Sequence, residues 1–360
     1  MRIMILANDS AGLYKFRKEL MEELVKREEV RVCLPQGSFV KHLKDIGVKY
    51  IPCDCLERHG KNLFKEKQLF SYYQKILREY MPDIVFTYTI KPNVYGGMAC
   101  AKLNIPYVAN ITGLGTAVEN GGILQRITTF LYKRGLRKAQ IVFFQNKENM
   151  DFMLKRRIIK TRYELLPGSG VNLKQYRLME YPNNKEIHFL FIARIMKEKG
   201  IDQYLEAAEY IRGKYSDVVF HVCGICEQDY ARKLEELQKK DIIVYHGLVE
   251  DMVEMQKISS CTIHPTYYPE GMSNVLLESA ASGRPIITTN RPGCREIVED
   301  EINGYIVKEK DSKDLIEKLE KFMGLSWEQK KNMGLAGRSK VEREFDRRIV
   351  IDKYMKELKN

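Results

Sequence analysis

Short runs of β-branched and aromatic residues alternate with amphipathic stretches along the whole chain, and this alternation restricts the fold more than any other feature. RIMILAN, VRVCLP, DIVFTYT, PYVANIT and QIVFFQN read as strands. YKFRKELMEELVKR, QLFSYYQKILREY, YGGMACAKL and ILQRITTFLYKRGLRKA read as helices between them; Phe16, Leu20 and Leu24 recur at helical spacing, and Met81-Pro82 closes the second helix. The stretch LLPGSGVNLKQYRLMEYPNNKE, with Pro167, Gly168, Gly170 and Pro182, breaks the rhythm and reads as an interdomain linker. The pattern then restarts with IHFLFIAR, VVFHVCG, IIVYHG, CTIHPT, PIITTN and a short GYIV as strands, and ends with helices over 312–323 and about 327–358. Strands separated by helices of this length form parallel sheets with right-handed crossovers. The expectation is α/β: two doubly wound, Rossmann-like parallel-sheet domains facing across a cleft.

The 360 residues are too many for one ordinary core and suit two domains. No apolar stretch reaches the roughly 18 residues that span a bilayer. MRIMILA runs straight into NDS and reads as a first strand, not a signal peptide. Eight scattered cysteines suit a reduced, cytoplasmic protein. Charge is uneven. Residues 1–180 carry 31 Lys and Arg against 17 Asp and Glu, a net +14, whereas the remainder carries 29 against 31. Such asymmetry is either a solvated basic surface or a site attracted to anionic headgroups or a pyrophosphate. Nucleic acid is disfavoured, because no aromatic-basic repeat or known motif accompanies the basic residues.

In open parallel sheets ligands bind beyond the carboxyl ends of the strands. The segments to inspect are therefore Asn8–Leu13, 112–116, Ala193–Gly200, Cys223–Gly224, His246–Leu248 and Thr266–Asn274. In YPEGMSNVLLESAASGRP a helix is expected to start near Met272 or Ser273, with Glu270 at its tip and Glu278 eight residues on. Along a helix that separation is about 12 Å, close to the span from sugar to ribose in a nucleotide diphosphosugar. Carboxylates can each grip vicinal hydroxyls, and free helix-start amides suit a phosphate. The plainer reading makes Glu270 a dipole partner and Glu278 a solvated helix residue. In ARIMKEKG, Arg194 and Lys199 straddle a strand-to-helix loop and could neutralise a departing diphosphate, or simply form an exposed basic cluster. In NDSAGLYKF, Gly12 would let a phosphate approach the backbone, although no P-loop follows. No Asp-x-Asp occurs, so the usual carboxylate pair for a metal-held nucleotide sugar is missing and no metal is expected. The lone CGIC at 223–226 lacks a second cysteine pair, and His264 reads as a packing residue.

Together, ARIMKEKGID, VCG, HGL, EGMSNVLLESAASGRPII, GCREIV and NGYIV resemble the donor domain of retaining GT-B glycosyltransferases of family 4. LANDSAGLYKFRKEL, TYTIKPNVYGGMACA and NITGLGTAV resemble the first domain of bacterial members that build surface polysaccharides or lipid-linked oligosaccharides. The resemblance implies an acceptor domain over 1–168, a donor domain over 169–342 and a last helix, about 343–360, crossing back to the first domain. It implies that Glu270 contacts the donor sugar, Glu278 the ribose, and Arg194 and Lys199 the diphosphate, with Arg194, Lys199 and Glu270 as the catalytic set. Gly224, Gly271, Met272, Ser273 and Asn274 would line the donor, Leu248 would lie near the base, and Ser10, Ala11 and Gly12 would close over the phosphate. Many members carry a histidine after a first-domain strand. Here that half holds only His42 and His59, and Asn110 and Thr112 occupy the candidate place, beside Asp9 and Lys91 as acceptor-side candidates. The implied reaction moves a hexose or N-acetylhexosamine from a UDP-sugar to a polyprenyl-diphosphate-linked saccharide. It would take place peripherally on the inner face of the cell membrane, whose anionic surface would attract cations on ILQRITTFLYKRGLRKA and on MDFMLKRRIIKTRY, read as another helix. A UDP-N-acetylglucosamine 2-epimerase and a non-catalytic sugar-nucleotide-binding module are the rival readings.

Overall fold

The computed structural model describes residues 1–57, 62–115, 118 and 121–359. His59, Thr116 and Asn360 lie outside these residues. The chain folds into two compact units, Met1–Ser169 with Arg348–Asn360, and Gly170–Arg347.

In the first unit, among the described residues, the strands are β1 (Arg2–Leu6), β2 (Glu29–Leu34), β3 (Lys49–Pro52), β4 (Ile84–Tyr88), β5 (Tyr107–Ile111), β6 (Ile141–Phe144) and β7 (Arg162–Leu165). All pair in parallel, in the order β3-β2-β1-β4-β5-β6-β7. Successive side chains of a strand point to opposite faces. Ile3 and Ile5 accordingly join one apolar cluster, while Met4 and Leu6 join another on the opposite face. This two-sided burial is why most inner strands read as largely apolar runs and not as strict alternation. The chain reverses direction across the sheet between β1 and β4, so the loops after these strands flank the switch point.

The second unit contains β8 (Ile187–Ile192), β9 (Val218–Cys223), β10 (Val244–Gly247), β11 (Cys261–His264), β12 (Ile286–Thr289) and β13 (Gly304–Val307), parallel in the order β10-β9-β8-β11-β12-β13. Its switch point lies between β8 and β11, which pair through Cys261–Phe189 and Thr262–Leu190.

Four expectations are corrected. The stretch read as a linker is largely built into the second unit: Tyr176 and Tyr181 are buried, and the wholly buried Arg284 donates to the carbonyls of Glu180 and Gln256. The helix expected over 327–358 is two helices, Trp327–Glu344 and Arg347–Glu357. Between them the backbone pairs with Val171, whose N–H donates to Phe345 and whose carbonyl accepts from Arg347, so the i-to-i+4 ladder cannot continue. Arg347–Glu357 carries Tyr354 into the first unit, where its ring meets Phe86 and Phe143 at 5.2 and 5.0 Å. MDFMLKRRIIKTRY is not one helix. The helix Lys147–Lys155 ends at Arg157, which has φ +50°; Ile158 and Ile159 then turn into the core, and Arg162–Leu165 forms the edge strand. Lys49–Pro52, also an edge strand, had been missed for want of an apolar run.

Candidate active site

In the second unit two loops meet at the switch point. The loop after β8 runs from Ala193 through a single 3-10 turn at Lys197–Lys199 to Gly200 and then the helix Ile201–Lys214. The loop after β11 runs from Pro265 to Ser273, and the next helix spans Asn274–Ala281. Tyr267 N–H donates to the Glu198 carbonyl at 2.9 Å, and Thr266 Oγ1 to the same oxygen at 3.3 Å. Gly200, at φ +77°, passes so close that a Cβ would stand 2.1 Å from the Pro265 carbonyl oxygen. Only glycine meets both conditions cheaply.

This zippering brings Lys199 Nζ onto the Glu270 carboxylate. Their side chains keep 9% and 17% of their exposure. The Tyr268 ring lies under both basic groups, its centroid 4.7 Å from Lys199 Nζ and 5.3 Å from Arg194 Cζ. Arg194 also pairs with Glu227 at 2.6 Å. Partial burial works against the guanidinium's charge, but Tyr268 and Glu227 outweigh it and hold the group above its usual value. The result is two fixed cations and a carboxylate at one sheet edge, half enclosed, where charge interactions are stronger than in water.

Behind the pair lie His264 and Cys294. His264 is buried with neither ring nitrogen hydrogen-bonded. Burial, and next the Lys199 charge, push its pKa down to about 3, so the ring is neutral. The position supports the packing reading. Burial, then the Glu270 charge, raise the Cys294 thiol well above its ordinary value. GCREIV had drawn attention to Cys294 only as part of a pattern.

Glu270 is not at a helix tip. The helix begins at Asn274, with Ser273 as a cap residue that makes no side-chain cap. Helical rise therefore does not set the separation of Glu270 from Glu278. Ser273 N–H instead donates to Gly293 at 2.8 Å, fixing how Gly271, Met272 and Ser273 enter the helix. The first amides of a helix have no partner four residues back. The Oδ1 of Asn274 is also buried with no hydrogen bond. Glu278, half-buried on the second turn, lies beside the Tyr176 hydroxyl; burial and then this carboxylate raise the tyrosine's pKa. Tyr176 escaped notice because it lies in the segment read as a linker. At the neighbouring strand ends, Gly224 approaches Ala193 so closely that a Cβ would sit 1.7 Å from its carbonyl oxygen, and Leu248 projects into solvent.

In the first unit the candidates share the carboxyl edge of β1, β4 and β5, and Asp9, Ser10, Lys91 and the Asn110 amide nitrogen are engaged within the unit. Asp9 caps the helix Ser10–Val25 by accepting from Gly12 N–H at 2.6 Å. That amide therefore meets a carboxylate, where an open phosphate contact had been expected. Ser10 is buried and accepts from Phe39 N–H, and Ala11 occupies the first turn. Lys91 pairs with Glu66 at 2.6 Å. Asn110 is in the core, donating to Tyr354 at 2.7 Å, because it is the last-but-one residue of a central strand buried on both faces; it is not presented to an acceptor. Thr112, half-buried just beyond that strand, keeps its place at the edge. No group of three or more His, Cys, Asp or Glu among the described residues is arranged to hold a metal.

Comparison with known proteins identifies the family. Residues 179–340 match the family of Glycosyl transferases group 1, and residues 2–146 match Glycosyl transferase 4-like. The chain belongs to these glycosyltransferases. A Campylobacter jejuni relative, N,N'-diacetylbacillosaminyl-diphospho-undecaprenol alpha-1,3-N-acetylgalactosaminyltransferase, is 28% identical over 99% of this chain and 98% of its own length. An Escherichia coli relative, UDP-Gal:alpha-D-GlcNAc-diphosphoundecaprenol alpha-1,3-galactosyltransferase, is 23% identical over 80% of this chain and 78% of its own. The crystal structure of Anabaena Alr3699/HepE in complex with UDP and glucose superimposes with a TM-score of 0.83 at 17% identity, covering all of both chains. The fold of this family 4-like glycosyltransferase is thus GT-B. No helix among the described residues is long and apolar enough to cross a membrane.

Proposed function

We propose that the protein is a retaining hexosyltransferase that moves a hexose or N-acetylhexosamine from a UDP-sugar to a hydroxyl of a polyprenyl-diphosphate-linked saccharide in bacterial glycan assembly. The observation that carries this reading is the cation pair Arg194 and Lys199, braced on Tyr268 and joined to Glu270, at the switch point of the second sheet. The names of the Campylobacter jejuni and Escherichia coli relatives support the donor class and the lipid-linked acceptor.

The donor would lie along the carboxyl edge, with sugar hydroxyls on Glu270, the diphosphate between Arg194, Lys199 and the amides of 271–274, the ribose on Glu278, and the base toward Gly224 and Leu248. The bond from the anomeric carbon to the phosphate oxygen breaks while the acceptor oxygen bonds to the same face of that carbon. The departing phosphate oxygen takes the acceptor proton. Arg194 and Lys199 offset the growing negative charge without themselves moving a proton. This route asks for no first-domain base, which suits a first unit in which Asn110 is buried. Asp9, Lys91 and Thr112 remain as acceptor-side groups.

The test is UDP release. A panel of UDP-, GDP- and ADP-sugars is screened by thermal shift, since a ligand that binds only the folded state raises Tm. The stabilising donor is then incubated with undecaprenyl-diphosphate-linked mono- and disaccharides. Acceptor-dependent UDP release with an α-linked product supports the proposal. A 2-epimerised sugar nucleotide, or donor binding with no release for any acceptor, overturns it.

A further inference from the structure

The segment 224–228, which begins inside CGIC, runs beside the loop that carries the two cations. Ile195 N–H donates to the Ile225 carbonyl at 2.8 Å, and Glu227 N–H donates to the Ile195 carbonyl at 3.1 Å. Ile195 and Cys226 thus form one parallel bridge beyond the ends of β8 and β9. Side chains alternate across such a pairing. Ile195 is wholly buried, and Cys226 packs against the same core cluster. Arg194, just before this bridge, and Glu227, just after it, therefore share the outward side. There Arg194 Nη1 donates to Glu227 Oε2 at 2.6 Å.

The next residue extends the contact. Gln228 Oε1 accepts from Lys197 N–H at 2.9 Å, and its Nε2 donates to Glu198 Oε2 at 3.1 Å. Three strand-end loops are joined in this way: 224–228 to 194–198, and 194–198 to 266–267 through the Glu198 carbonyl. Within 224–228, the carboxylate of Glu227 is the group that meets a cation of the candidate site.

We propose that Glu227 is a positioning residue, holding the Arg194 guanidinium over Tyr268 in the orientation that receives the donor diphosphate. The inference rests on the proposed reaction, in which that diphosphate lies against Arg194. A long arginine side chain loses much rotamer freedom when it is fixed, so fixing it beforehand favours the bound state. The Tyr268 ring supports the guanidinium, its centroid 5.3 Å from Cζ, but a ring face leaves the group able to turn in its own plane. A charge-assisted hydrogen bond at Nη1 stops that turn. A guanidinium has five N–H donors and this bond uses one, so phosphate oxygens can meet others while Glu227 stays in place. The carboxylate also brings a negative charge toward the diphosphate, which opposes binding, although water screens it at this exposed position. Orientation and charge therefore act in opposite directions, and the test has to hold one of them constant.

The experiment compares Glu227→Gln with Glu227→Ala, with Arg194 present and in an Arg194→Ala background. Both replacements remove the same charge, and only glutamine keeps an oxygen that can accept from Nη1. UDP binding by calorimetry and steady-state UDP release are measured on the full chain. With Arg194 present, Glu227→Gln is expected to bind UDP at least about threefold more tightly than Glu227→Ala, and to show about tenfold higher kcat with a smaller difference in KM for the donor. In the Arg194→Ala background the two should agree within about twofold in UDP affinity, because a residue that acts through Arg194 then has nothing to hold. The pair lies at the surface, so the melting temperatures of the two replacements should agree within about 2 °C. Glutamine and alanine variants that behave alike with Arg194 present overturn the positioning role, and so does a difference that survives Arg194→Ala. Wild type that binds UDP but releases none with any acceptor overturns the proposed reaction, and the binding comparison still decides the role of Glu227. Wild type that binds no UDP overturns both.

Discussion

Replacing Lys199 by methionine separates what its ion pair does for the fold from what its charge does for the reaction. Lys199 and Glu270 are largely buried together. Removing one member of such a pair costs about 3 kcal/mol, because the other charge loses its compensation in a poorly solvated place. For a unit the size of Gly170–Arg347 that corresponds to a fall in Tm of about 6–12 °C. The catalytic effect has a different origin. A cation about 4 Å from a developing phosphate charge, at an effective dielectric constant near 20, is worth at most about 4 kcal/mol. Arg194 shares that task, so loss of one cation should lower kcat by about 10²–10³-fold with a much smaller change in KM.

The double variant Lys199→Met/Glu270→Gln makes the two effects diverge. No charge is then left without its counterpart, and Tm should return to within about 3 °C of wild type. Turnover should stay at least as low as in the single variant, because the diphosphate still lacks its cation and the sugar its carboxylate. Steady-state UDP release and differential scanning calorimetry read the two quantities. Turnover of Lys199→Met within threefold of wild type would refute the electrostatic role. A double variant as unstable as the single one would refute the pairing argument.

Three further outcomes are expected. His188, His221 and His246 stack across β8, β9 and β10 with ring nitrogens 2.9 Å apart at each step, and burial followed by the neighbouring imidazoles lowers His221 from 6.5 to about 4. The unfolded chain alone takes up that proton between those values, so stability falls as pH drops through this window, by about 3 kcal/mol from His221. Urea titrations at pH 7.5, 6 and 5 should show the loss, and His221→Asn should flatten it; an equal slope in the variant would contradict the account. Tyr176→Phe removes the hydroxyl that orients Glu278 and should raise KM for the donor roughly tenfold with kcat nearly unchanged, a split that steady-state kinetics resolves. Gly200→Ala puts a Cβ 2.1 Å from the Pro265 oxygen at φ +77° and should cost at least about 2 kcal/mol, seen as a lowered denaturation midpoint.

The strands that stand out most plainly in the sequence are the central ones of the first sheet. Ile84–Tyr88, Tyr107–Ile111 and Ile141–Phe144 are buried at every position and read as mostly apolar runs, with Thr87 and Asn110 the polar residues among them. Lys49–Pro52 and Arg162–Leu165, at the two edges of the first sheet, have no fully buried residue, and so leave no apolar run to read. The site shows a similar division. Residue types and their order pointed to Glu270, Glu278, Arg194 and Lys199, but the geometry assumed for the two glutamates was wrong, because one of them precedes the helix. What sets Glu270 is not its spacing from Glu278 but a loop some seventy residues earlier, which bonds Tyr267 and Thr266 through the Glu198 carbonyl and offers Lys199 to the carboxylate. That contact is made only because β8 and β11, far apart in sequence, are neighbours at the reversal of the sheet. Glu270 and Lys199 are therefore one structural unit contributed by two strands, whereas Glu278 belongs to another unit with Tyr176. Changes on one side should alter turnover and changes on the other donor affinity, a separation that one-dimensional spacing could not have expressed.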